Sequence, residues 1–287
     1  MKGARIMGVR RRFLYISNIG TNDVKIYNIG IASSPTRAGS FAQGDLSTPA
    51  GLAIIGNILY VANAGGNQNI IIYDITRRTA PKRVGEFGQG DLSNPNALAI
   101  AGRTLYVTNL VDSTVEIYDI SNPLSPARVG QFGAGELNRP DGLAVLGNLL
   151  YVANSGDASV EIYNISNRQA PVRIGQFGNA NEISNPIGLA IKGNVLYVAN
   201  FQLNLANTVS IYNIENPTAP IFLKRFGEGI LSGPCELTVF ADILYVVNLN
   251  SSSVAVFDIT DPLAPSFIQS FNSGNLNAPF GIIVAPA

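Results

Sequence analysis

From Phe13 onward the chain is a succession of short apolar runs, none longer than eight residues, each closed by polar or turn-forming residues. The stretch that begins at Pro95 shows the pattern. Residues 97–100 form a first run, 104–108 a second, 114–120 a third and 127–132 a fourth. A tight turn, Ala101-Gly102-Arg103, separates the first two, and Asn109 opens a polar loop before the third. Ser121-Asn122-Pro123 and Pro126 lead into the fourth, and the Gly-rich Gly133-Ala134-Gly135 returns the chain to Pro140. None of the runs has a helical apolar period, and the third is rich in Val, Ile and Tyr. The pattern therefore predicts four short strands and no helix. The runs are apolar on both faces, as strands covered on two sides require.

The same unit recurs. Its second run carries Leu-Tyr-Val-Ala-Asn or a close variant, with tyrosines at 15, 60, 106, 151, 197 and 245, a period of about 46 residues. Gly56-Asn57, Gly147-Asn148 and Gly193-Asn194 supply the turn between the first and second runs in three other copies, chemistry that suits a two-residue hairpin. The second, third and fourth runs each occur six times. The first occurs five times inside the chain, and its sixth copy, residues 280–285, stands alone at the C-terminus. An open array has no use for such a split, whereas a ring is closed by it and loses its free edge. The prediction is an all-β, six-bladed β-propeller of four-stranded blades over residues 13–287, its first blade completed by the C-terminal strand. A basic extension, residues 1–12, precedes it.

Composition narrows the function classes. Charged residues make up 13% and the formal net charge is zero, so the electrostatic footprint of a nucleic-acid binder is missing. Histidine is absent, and with it the usual base of a Ser or Cys triad and the commonest metal ligand. The single cysteine, Cys235, forms no internal disulfide, and no cation near it in sequence would activate it as a nucleophile. No apolar run is long enough for a transmembrane segment. The basic N-terminus has no apolar core, so no signal peptide is visible, and surface, secreted and cytoplasmic locations all stay open. Gly85, Gly88 and Gly90 echo a phosphate loop but follow no strand-to-helix pattern, so that mechanism does not apply.

Three elements carry a family resemblance. Residues 117–123, Ile-Tyr-Asp-Ile-Ser-Asn-Pro, resemble the LVIVD repeat; residues 105–109, Leu-Tyr-Val-Thr-Asn, resemble the YVTN repeat; and residues 140–145, Pro-Asp-Gly-Leu-Ala-Val, are similar to the start of an NHL unit. The resemblance covers nearly all of the chain from Phe13. It implies a propeller, and it implies a surface, scaffold or binding protein whose partner varies.

Copies of a repeat act as controls for one another. Positions that agree point to packing: the tyrosines of the second run, and the Asn that ends it (18, 63, 109, 154, 200, 248), expected to form Asx-type turns. Positions that differ are free for function. After the proline that opens the first run, the six copies read Ala50, Asn96, Asp141, Ile187, Cys235 and Phe280. In the families it resembles this run is the innermost strand, which would set these six residues around one mouth of a central channel. One position on, five copies have a small residue and the sixth has Glu236. Asn96, Asp141 and Glu236 beside Ile187, Cys235 and Phe280 suit a small ligand or a cation; a hydrated mouth under no constraint would drift to the same variety. The long loop 201–207 adds Phe201, Gln202 and Leu203 as a candidate partner contact, and Asp45, Asp91, Glu136 and Glu182 are expected to be solvated loop carboxylates.

The function that follows is a non-enzymatic binding or scaffold propeller presenting variable loops on one face to a protein, a glycan or a small ligand, with no cofactor. The alternative is a calcium-dependent hydrolase similar to the six-bladed gluconolactonase group, with Asn96, Asp141 and Glu236 as hard oxygen ligands for Ca2+.

Overall fold

The computed structural model describes residues 12–201, 207–272 and 274–286. The N-terminal extension, apart from Arg12, and Gln202 and Leu203 of the long loop lie outside the described residues. The chain forms six four-stranded antiparallel sheets. Their first strands are Pro49–Ile55, Pro95–Ala101, Pro140–Leu146, Pro186–Lys192, Pro234–Phe240 and Pro279–Ala285. Each packs against the corresponding strand of the sheets before and after it, and Pro279–Ala285 touches both Pro234–Phe240 and Pro49–Ile55, so the ring is complete. These six are the innermost strands, as expected. Among the described residues the only helical elements are two single 3-10 turns, Ile19–Thr21 and Ser155–Asp157, and no helix is long and apolar enough to cross a membrane.

Closure follows from pairing. The strand Phe13–Asn18 pairs with Asp23–Asn28 on one side and with Pro279–Ala285 on the other, setting Leu14 opposite Val284 and Tyr15 opposite Ile283. The first blade therefore consists of three strands from the start of the chain and one from its end. Each innermost strand begins at its proline, earlier than the apolar run suggested. Pro95 pairs with Asn109 across a bulge before the regular register starts at Leu98 and Val107.

The expectation that every strand is apolar on both faces holds for the inner three only. The outermost strands, such as Ala127–Phe132, are largely exposed. Each carries a bulge at its third residue, which is skipped in the register with the neighbouring strand. At five of the six positions that residue is a large apolar one turned to solvent: Val84, Val129, Ile174, Leu223 and Ile268. A bulge twists an open edge and disfavours its pairing with another chain.

A six-fold device joins the blades. Each second-strand tyrosine is fully buried and its hydroxyl donates to a backbone carbonyl of the next blade: Tyr15 to Arg78, Tyr60 to Pro123, Tyr106 to Arg168, Tyr151 to Pro217, Tyr197 to Pro262 and Tyr245 to Ala32, at 2.5–2.9 Å. Burial pushes the Tyr106 hydroxyl up to about 12, so it stays a donor at any physiological pH. The acceptors lie in the turn after the third strand, the Asp-Ile-Ser-Asn-Pro element, where Asp119 accepts from the Ser121 N–H and Asn122 from the Leu124 N–H. Phe87, Phe132 and Phe177 lie edge-on between a tyrosine of their own blade and one of the next. Such pairs add about 0.5–1.5 kcal/mol beyond area burial.

The Asn that ends the second strand is not an Asx turn. Its side-chain oxygen accepts the N–H two residues before the proline that opens the inner strand of its own blade: Asn63 from Ser47, Asn109 from Ser93, Asn154 from Asn138, Asn200 from Ser184 and Asn248 from Ser232. Asn18 makes the same bond to Asn277, 259 residues away, and so latches the closure. The loop carboxylates are also more than solvated. Asp45, Glu136 and Glu182 accept the hydroxyls of Tyr73, Tyr163 and Tyr212 in the following blade. Asp91 instead approaches Arg128 at 3.9 Å, and the Tyr118 hydroxyl has no partner among the described residues.

Candidate ligand site at the channel mouth

The residue before each inner proline has a left-handed backbone: Thr48, Asn94, Arg139, Asn185, Gly233 and Ala278, at φ between 48° and 67°. An Asn or Gly adopts this readily; a β-branched Thr does so only when its surroundings impose it. This turn, held by the Asn latch, swings the chain into the inner strand and aims the residue after the proline at the axis. All six post-proline residues, Ala50, Asn96, Asp141, Ile187, Cys235 and Phe280, line one well of about 280 Å³.

Two further layers complete the well, of which the sequence singles out Phe201 alone. The residue after the latching Asn contributes Ile19, Ala64, Leu110, Phe201 and Leu249, and the left-handed residues contribute Thr48, Asn94, Arg139 and Asn185 at the rim. Their signal was positional: each stands at a fixed step from the latching Asn or from the proline. Phe201 faces the well, which gives the first residue of the long loop a place in the site.

The wall is uneven. On one side Asn96 Nδ2 donates to the Asp141 carboxylate; these side chains are 8% and 5% exposed. On the other side stand Ile187, the fully buried Cys235 and Phe280. Burial raises the Asp141 carboxyl to about 7, against the opposing pull of Ser155, Arg139 and Asn96. Burial also raises the Cys235 thiol far above its ordinary value, and its Sγ lies 3.6 Å from the Val247 and Phe280 carbonyls. Cys235 is a small apolar wall residue and no nucleophile.

Glu236 stands one layer lower than its place in the sequence suggested. It lines a chamber of about 160 Å³ immediately below the well, with Leu52, Leu98, Leu143, Leu189, Leu237 and Ile282 around it. Its counterparts are small because the inner strands almost touch there. A Cβ added at Gly51 would lie 2.4 Å from the Asn96 carbonyl oxygen, at Gly142 2.1 Å from that of Ile187, and at Gly188 2.2 Å from that of Cys235. Glu236 Oε1 accepts from the Leu237 N–H at 3.1 Å, the one hydrogen bond to this carboxyl among the described residues. Burial pushes it up to about 8, and the nearby Asp141 charge adds to the rise. Of the three candidate cation ligands, Asn96 and Asp141 therefore meet in the well while Glu236 lies beneath them.

The model of the LVIVD repeat matches residues 140–178, which span the fourth blade from the first strand to the last. No curated protein matches the sequence. Among solved structures, a chain of a nidogen/laminin complex is 17% identical, with 96% of this chain and 98% of that one covered and a TM-score of 0.73. The periplasmic gluconolactonase PpgL of Pseudomonas aeruginosa is 15% identical, with 96% and 99% covered and a TM-score of 0.72. The chain is a β-propeller repeat protein with an LVIVD repeat; identities this low establish the shared fold alone.

Proposed function

We propose that this protein is a non-enzymatic binding propeller that takes a small ligand into the well at the channel mouth. The observation that supports it is the convergence of the six post-proline residues, different in every copy, on a single concave well. Ligand sites are typically concave and mostly apolar, with a few placed polar groups. This well has that character, with Asn96 and Asp141 as its polar pair. A protein or glycan partner would meet the same face through the loops around the rim. The alternative, a calcium-dependent hydrolase, has in its favour the side-by-side placement of Asn96 and Asp141.

A thermal-shift screen of small metabolites and calcium separates these readings, because a ligand bound only by the folded state raises Tm. The expected result is a raised Tm with an organic compound that is lost in Asp141→Ala and in Phe280→Ala. Stabilisation by calcium alone, lost in Asp141→Ala, would decide for the hydrolase. Hits indifferent to both substitutions would remove the mouth from consideration.

A further inference from the structure

We propose that the ligand of this well is a compact organic cation, an ammonium head on an apolar body, with the head held between Asp141 and Glu236 and the body against Phe280 and Ile187. The inference rests on the mouth being the ligand site and names the chemistry it takes.

Three observations carry it. First, the well and the chamber below it lie in series. Along each inner strand the post-proline residue lines the well, and in every blade the residue two positions on lines the chamber. Second, each level holds one carboxyl. Asp141 stands in the wall with one oxygen bonded to Asn96, and Glu236, half-buried, lines the chamber. Glu236 occupies a position where four copies have glycine and one alanine, yet its second oxygen has no protein partner among the described residues. A half-buried carboxyl with a spare acceptor in a narrow chamber favours a ligand that donates to it. Third, beneath the polar rim of Thr48, Asn94, Arg139 and Asn185 the rest of the lining is apolar, with Phe280 and Phe201 presenting aromatic rings, which attract cations. A hard dication takes six to eight oxygen ligands, whereas a monocation with an apolar tail uses both parts of this wall.

Burial raises both carboxyls, Asp141 to about 7 and Glu236 to about 8, with the Asp141 charge adding to the rise at Glu236, so both carry protons in part at neutrality and a cation replaces those protons. Among the described residues Arg139 at the rim is the one basic side chain lining the well, and Cys235, the other titratable group in its wall, stays a neutral thiol. Affinity for a cation should therefore rise with pH through the range in which Asp141 and Glu236 ionise, and binding should release protons.

The test uses the whole chain and three matched probes, benzylammonium, benzyl alcohol and benzoate, in isothermal titration at pH 6 and pH 9 and in buffers of different ionisation enthalpy. The expected result is binding of benzylammonium at millimolar concentration or below, tighter at pH 9, with proton release at pH 6. Asp141→Asn and Glu236→Gln should each weaken it about tenfold, the value of a lost charge-assisted bond, and leave benzyl alcohol unchanged. Equal binding of benzylammonium and benzyl alcohol, lost in Phe280→Ala, would overturn the cation assignment while leaving the mouth as the site. Binding of the probes untouched by all three substitutions would overturn both. No response to benzylammonium at either pH overturns the cation assignment, and the metabolite screen then stands alone as the test of the mouth.

Discussion

The molecule holds two kinds of position, and they obey opposite rules. Away from the axis, the tyrosine belt between blades and the Asn latch within each blade recur six times at equivalent positions. At the axis, six equivalent positions hold six different residues, two of them on the polar side of the well and the rest apolar. The difference teaches where each copy was constrained by its neighbours. A tyrosine that reaches the next blade's turn meets a backbone carbonyl that every copy presents, so the tyrosine is kept while the residue that carries the carbonyl varies. A post-proline side chain faces a cavity, where no repeated partner exists. The departures there are of two kinds. Ala50 or Ile187 costs nothing in an apolar-walled well. Asp141 and Glu236 do cost, because each carries a carboxyl into a place with little water.

The largest effect that tests this contrast is loss of the closing strand. Ending the chain at Ala278 removes Pro279–Ala285 and uncovers the Phe13–Asn18 strand, whose six residues are all buried. It also deletes Phe280 from the well and leaves Pro234–Phe240 and Pro49–Ile55 without their common neighbour. The expected outcome is loss of cooperative folding, a cost comparable with the roughly 5–15 kcal/mol that holds a whole domain together. A truncated chain that melts like the full one would mean that the ring does not depend on its closure.

A smaller effect separates the costly axial residues from the neutral ones. Both carboxyls have folded values, about 7 and about 8, well above the ordinary carboxylate value near 4. For a group raised in the folded state, stability is fully present below the unfolded value and is lost as pH rises through the folded one. Wild-type Tm should therefore fall between pH 5 and pH 9, by on the order of a few kcal/mol of stability in total. Asp141→Asn combined with Glu236→Gln should flatten that fall and give the more stable protein at pH 9. A pH profile identical in the two proteins would show that these groups are no more costly than Ile187.

How much of this was legible in the sequence divides along the same line. The period, the strand breaks and the ring closure could be read because turn residues and apolar runs act locally. The ring of post-proline residues could be read because the proline marks a fixed register. What could not be read depends on approach across space. The Asn latch accepts from a loop 16 residues earlier, and in the first blade from Asn277. The small residues at 51, 142 and 188 answer to a neighbouring backbone that would lie between 2.1 and 2.4 Å from an added Cβ. Glu236 was placed at the mouth because it is next to Cys235; the twist of the strand turns it into the chamber below. Asp45, Glu136 and Glu182 looked solvated because their tyrosine partners belong to the next copy.

The smallest effect bears on the repeated side of the contrast. Tyr106→Phe keeps the ring that lies edge-on to Phe132 at 6.2 Å and removes only the hydroxyl that donates to the Arg168 carbonyl at 2.9 Å. A net hydrogen bond is worth about 1 kcal/mol, so denaturant melts should show a loss of that size with an unchanged slope. Tyr197→Phe, two blades away, breaks the same kind of bond to Pro262 at 2.7 Å and shares no partner with the first. The two losses should add within about 0.5 kcal/mol, as independent sites do. Binding at the mouth should be untouched in both variants, since neither tyrosine lines the well. A double variant that loses much more than the sum would mean that the belt acts as one cooperative ring, and a change in ligand affinity would mean that belt and mouth are not separate regions.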